Sequence, residues 1–157
     1  MNKAVVLEKI INSLQSELET YIRAAKFSHA EATAEENRAE NKYDTRGLEA
    51  SYLAAGQANK VVELEAAISS FEELKKMPEI DSVEIGALLE LDQEGSIGLF
   101  FIGPTAGGTE IEIDGIEVLV ITSESPLGSQ LIGLKPGQKS TLDLAGRKQK
   151  VQVISVS

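Results

Sequence analysis

With 157 residues, 42% of them hydrophobic, the chain is long enough for one domain or two small ones around a packed core. The lack of cysteine excludes disulfides, thiolate metal sites and a cysteine nucleophile, and a reducing cytoplasmic setting is expected. A formal charge of −10 excludes unassisted adhesion to a phosphate backbone or an anionic membrane as the main activity, so a partner should be basic or cation-bearing.

Lys3, Glu8, Lys9 and Glu17 interrupt the first apolar residues, unlike a signal peptide or a membrane span, so a soluble protein without membrane contact is expected. From Met1 to about Lys76 there is no proline, and Leu7, Ile11, Leu14, Leu18, Tyr21, Ala25 and Ser28 recur at 3-4 spacing. Seven such positions predict a long helix with a coiled-coil-like seam. A second series, Ala54, Ala58, Val61, Leu64, Ile68 and Phe71, predicts another, punctuated by Gly47 and Gly56. These glycines are open to two readings, close approach of a neighbour or local looseness. Both seams are bulky far from the stretch EENRAENKYD (35–44) and small beside it, which matches an antiparallel hairpin with closer helix axes near its tip. Helices of roughly 30 residues would give an arm on the order of 45 Å.

Pro78 ends this regime, because it offers no amide donor and biases Met77 away from helix. The stretches SVEIGALLEL, SIGLFFIG, GTEIEID, IEVLVITS and KVQVISV alternate with period 2 or run apolar between turn-forming GPTAGGT, DG, SPLG and KPGQ. They predict a mainly antiparallel β domain over 79–157, with one helical turn near 129–132. The organisation expected is therefore α+β: a helical hairpin over 1–76 with a tip at about 35–46, then the β domain. Five of the six cations after residue 75, Lys135, Lys139, Arg147, Lys148 and Lys150, follow residue 134, giving the β half an acidic front and a basic tail.

Few residues offer chemistry of their own. GPTAGG is not followed by the Lys and Ser/Thr pair of a phosphate-binding loop and reads as a turn, and His29, the single histidine, cannot make a multi-histidine metal site. No serine sits in an elbow motif. Glu36, Glu40 and Asp44 would share one face if their segment were helical, where a divalent cation or a basic partner would relieve their repulsion. The same segment also reads as a solvated bend, since Asn37 followed by Glu40 is the pattern of a helix cap with an acid in the first turn. Both readings stand on the residues.

Layout and motifs together resemble the Gre family of bacterial transcription elongation factors. The resemblance rests on Ser125-Pro126-Leu127-Gly128, Leu131-Ile132-Gly133 and Lys135-Pro136-Gly137-Gln138 followed by a closing hairpin, and it spans nearly the whole chain. It implies an FKBP-like β domain that docks through Ser125, Pro126, Leu127 and Gly128 at the rim of the RNA polymerase secondary channel, with the coiled coil reaching the active centre. It also implies tip residues Glu36, Asn37, Glu40, Asn41 and Asp44, with Glu36 and Glu40 helping to hold a magnesium ion shared with the polymerase. Carboxylates suit that ion, and two cations stabilise attacking and leaving oxygens. The family's D-x-x-E-N falls on Asn37-Arg38-Ala39-Glu40-Asn41, so an amide replaces the first acid: helix capping survives and the metal role weakens. The expectation is a non-enzymatic, cytoplasmic factor that modulates elongation, pausing or initiation, touches nucleic acid only through the transcription complex and has no cofactor of its own. Alternatives are an FKBP-like peptidyl-prolyl isomerase and a coiled-coil adaptor.

Overall fold

The computed structural model describes residues 1–33 and 46–157, with backbone alone for residues 32 and 46–53. Helix α1 runs Lys3–Thr33 and α2 runs Arg46–Leu74. The carboxamide of Asn2 starts α1 by accepting from the Ala4 amide at 2.9 Å, satisfying one otherwise orphaned N–H. At the end of α2, the amides of Lys75, Lys76 and Met77 donate to carbonyls three residues back, tightening the last turn just before Pro78.

The described chain divides into two compact units, Met1–Ile11 with Ser69–Ser157, and Asn12–Ile68. Helix gives way to strand on either side of Pro78, with α2 ending at Leu74 and β1 starting at Leu88, whereas the compact units divide within the helices. The reason is burial: Val6, Ile10 and Phe71 are fully enclosed in the first unit, so both helix ends share its core.

In that unit, strands β1 (Leu88–Gln93), β2 (Ser96–Gly103), β3 (Glu110–Ile113), β4 (Ile116–Thr122), β5 (Lys139–Leu144) and β6 (Arg147–Val156) form one sheet, ordered β3-β4-β2-β1-β6-β5, with a short helix α3 (Gly128–Leu131). All neighbours are antiparallel except β2 and β4, which run parallel because the β3–β4 hairpin folds back with β4 inside. Three two-residue turns, Glu94-Gly95, Asp114-Gly115 and Ala145-Gly146, have positive φ at both positions, the geometry that suits the twist of tight hairpins. Asp92 and Asp143 brace two of them by accepting from the amides of Gly95 and Gly146.

Alternation in β2 divides the core. Phe100 and Ile102 join Leu89, Leu91, Leu131 and Val153 in one cluster, while Phe101 turns to the other face, its ring 6.1 Å from that of Phe71. Two sequence expectations change here. The first predicted strand starts at Leu88 instead of 82, because Val83 is tied to the 133–134 segment by bonds of 2.8 Å to Leu134 and from Gly133. Strand β5, KSTLDL, is absent from the alternation reading because only Leu142 of its residues is fully buried.

In the other unit, Leu14, Ser28, Leu64 and Ala67 are buried among the described residues, and Leu18, Tyr21 and Ala25 are half-buried, largely the seam the spacing predicts. Ala67 joins it and Ala58 is exposed. Lys60 lies 6.0 Å over the Tyr21 ring, while Ala25 and His29 share a recess with Ala54 and Ala58. Partner numbers fall along α2 as they rise along α1, so the two helices are antiparallel. The alanines leave a recess of about 500 Å³ between them. A Cβ on Gly56 would meet nothing within 4 Å, so a close-packed neighbour does not explain that glycine.

Candidate functional site

The expected tip residues Glu36, Asn37, Glu40, Asn41 and Asp44 lie outside the described residues, as does the metal assignment to Glu36 and Glu40. Thr33 closes the described part of α1 by donating its hydroxyl to the carbonyls of His29 and Ala30, at 3.0 and 3.3 Å. His29 is exposed and borders the alanine recess with Lys26, a position on the helix surface.

The expected docking turn, 125–128, is fully described. Ser125 occupies its centre: its hydroxyl donates to the Thr122 carbonyl at 2.7 Å and accepts from the Gly128 amide at 3.0 Å. The Ser125 amide donates to that same carbonyl, and the Ser125 carbonyl accepts from Ser129 at 2.9 Å. This is how a hydroxyl side chain substitutes for main-chain partners in a turn. Gly128 is buried, and a Cβ there would collide with the Thr122 carbonyl. Leu127 packs against the core cluster and Pro126 is exposed. Two of the four residues thus build the turn, one anchors it, and Pro126 is what it displays.

Gln130 was not among the residues singled out by sequence. Its amide nitrogen donates to Pro126 and Asp143 carbonyls at 2.6 and 2.9 Å, and its oxygen accepts from the Asp143 amide at 2.8 Å. One side chain thereby fastens the turn to β5, as a neighbouring strand's backbone would. The only sequence signal is the residue type, since an amide can both donate and accept.

The next motif, Lys135-Pro136-Gly137-Gln138, also bonds to itself and to the sheet. The Gln138 side chain accepts from the Lys135 amide at 2.6 Å, and Gly137 and Gln138 exchange main-chain bonds with Val153 at 2.7 and 2.9 Å. Lys135 lies 3.9 Å from Asp81, an exposed pair that adds little stability. Among the described residues no three His, Cys, Asp or Glu side chains gather as a metal site, and no helix is long and apolar enough to cross a membrane.

No protein-family model matches the chain, and no curated protein matches it. Solved structures do. The crystal structure of GreA factor homolog 1 (Gfh1) of Thermus thermophilus is 20% identical, with 94% of each chain covered and a TM-score of 0.38. Gfh1 of Thermus aquaticus is 20% identical over 95% of this chain and 92% of that one, with a TM-score of 0.39. The prokaryotic transcription elongation factor GreA/GreB from Nitrosomonas europaea is 18% identical over 64% of this chain and 91% of its own, with a TM-score of 0.34. The chain is thus similar to Gre-type factors, and its architecture is α+β, two long antiparallel helices followed by a six-stranded, mostly antiparallel sheet.

Proposed function

We propose that the chain is a Gre-like accessory factor that binds RNA polymerase at its secondary channel and modulates elongation, pausing or initiation. What carries this is the coexistence, in one chain, of an antiparallel helix pair and a rigidly built 125–128 turn that displays Pro126. The turn is the docking element, and the segment between the helices, with Glu36, Glu40 and Asp44, is the working end that reaches the active centre. A carboxylate-rich end suits a cavity that holds magnesium.

Glu36 and Glu40 are the residues placed against a polymerase-held magnesium ion, which would supply charge for activating water. Asn37 accepts and donates hydrogen bonds but brings no charge to such an ion. Regulation without robust transcript cleavage follows: misplacement of a catalytic group by about 1 Å can cost on the order of 100-fold in rate. The protein acts through the polymerase and is not itself an enzyme.

Affinity capture on core RNA polymerase tests the docking. Retention of the full chain, weakened by Pro126→Asp with the fold intact by circular dichroism, is expected. Failure of the wild-type chain to bind, or undiminished binding by the variant, would overturn it.

A further inference from the structure

We infer that the free edge of β5 receives an extended acidic segment of another protein, added to the sheet beside Lys139 and Thr141. The order β3-β4-β2-β1-β6-β5 leaves β5 at a margin of the sheet. The Asp143 amide and carbonyl, both bonded to the Gln130 side chain, show which main-chain groups of this strand face away from β6. In an antiparallel pair that orientation returns at every second residue, so the amides and carbonyls of Thr141 and Lys139 face the same way. Among the described residues nothing bonds to those groups. Gln130 thus fills the first place of a missing neighbour strand, and the edge beyond it stays open.

Charge selects the occupant. Cross-strand pairing sets Lys139 opposite Gln152, Thr141 opposite Lys150 and Asp143 opposite Lys148. These residues share the face turned away from Leu142, Val151 and Val153, which belong to the core cluster. Lys139, Lys148 and Lys150 are exposed there, and among the described residues none of them is in an ion pair. Residues 135–157 carry five cations and a single acid, Asp143, whose carboxylate accepts from the Gly146 amide. Lys139, Thr141, Lys150 and Gln152 help to line a recess of about 390 Å³, with Asp92 and Glu94 on its β1 side. Those two carboxylates accept from the amides of Gly95 and Lys150, at 2.7 and 3.3 Å, so main chain holds them and the ammonium groups stay open. An added strand with Asp or Glu at alternate positions brings its acids to the lysines on this face, while its main chain pairs with the edge.

A phosphate backbone is the poorer occupant, because it offers no amide–carbonyl repeat to the edge and is repelled at longer range by the chain's net charge of −10. Lysine on an edge strand turns apolar strands away, a common protection of open sheets, and the same side chain attracts an acidic one. A second copy offers β3, where Glu110 and Glu112 alternate with Ile111 and Ile113. Each copy joined in that way adds its own net charge of −10 and leaves both outer edges of the growing sheet open, so a separate acidic partner is favoured. Gln130 bridges Pro126 and Asp143, and the open edge begins beyond that bridge, so the inference does not rest on the contact proposed for Pro126.

Fluorescence anisotropy of a labelled hexapeptide of alternating valine and glutamate, titrated with the full chain, tests the proposal. A dissociation constant on the order of 100 μM is expected, weakened at least about tenfold, roughly 1.4 kcal/mol, by Lys139→Glu with Lys150→Glu. Thr141→Pro removes an outward amide and is tolerated at a sheet edge, so it should weaken binding to a similar degree with the fold intact by circular dichroism. A contact made by charge alone would not respond to it. Amide exchange at Thr141 in the wild-type chain should slow when the peptide is added. Lys9→Glu with Arg23→Glu, the same charge change at exposed positions of α1, should leave binding unchanged. Equal binding of a valine–lysine hexapeptide or of a thymidine hexanucleotide, equal loss with the α1 variant, undiminished binding by either β5–β6 variant, or no binding by the wild type would overturn it. So would sedimentation showing self-association that Thr141→Pro abolishes. Because polymerase capture with Pro126→Asp reads a different element, failure here leaves the proposed function standing, and the reverse holds too.

Discussion

The two compact units bury their residues in different ways. The sheet unit encloses side chains on both faces of β2, with Phe100 and Ile102 in one cluster and Phe101 against Phe71 on the other face. The unit of residues 12–68 buries one seam, and along α1 that seam passes from Leu14, fully enclosed, to half-buried Leu18, Tyr21 and Ala25. A two-faced core makes every strand depend on several others. A single seam makes each turn of helix depend mainly on the turn opposite. Local opening should therefore be harder in the sheet unit and progressively easier along the helices.

Substitutions can break or sharpen that contrast, and the largest effect is expected at Phe71. Phe71→Ala removes a fully buried ring shared with Phe101 and should lower unfolding free energy by about 4 kcal/mol, read by urea denaturation. Gly128→Ala forces a methyl group against the Thr122 carbonyl, and a loss of about 3 kcal/mol is expected by the same measurement. Gln130→Ala deletes three hydrogen bonds that tie the docking turn to β5, with a loss of roughly 2 kcal/mol and faster amide exchange at Asp143. At the small end, Val62→Ala on exposed helix surface should change stability by less than about 0.5 kcal/mol. A Val62→Ala loss as large as that of Phe71→Ala would remove the contrast between the units.

Much of this architecture was legible in the residues. The spacing of Leu7, Ile11 and Leu14 marks the α1 seam, and Asp114-Gly115 announces its hairpin because that pair tolerates positive φ. The Ala145-Gly146 turn was quieter, since alanine seldom takes positive φ, and β5 shows little alternation, so that strand escaped. The parallel pairing of β2 with β4 depends on which side of the sheet a hairpin returns, a tertiary choice invisible in local periodicity. At the candidate site, Ser125 and Gly128 stand out in the sequence only through the family resemblance, and the turn's hydrogen bonds and the close Thr122 carbonyl give each a structural reason. Gln130 was missed because its partner Asp143 is thirteen residues away. The tip acids lie outside the described residues and rest on the sequence alone.

Transcription by purified RNA polymerase tests the central claim most directly, comparing the full chain with a variant in which residues 35–44 are replaced by a short glycine–serine link. The wild-type chain should alter elongation or pausing, and the variant should still be captured by the polymerase while losing that effect. An unchanged effect from the variant, or no effect of the wild-type chain on any transcript, would contradict the proposed division between a docking sheet and a working helical end.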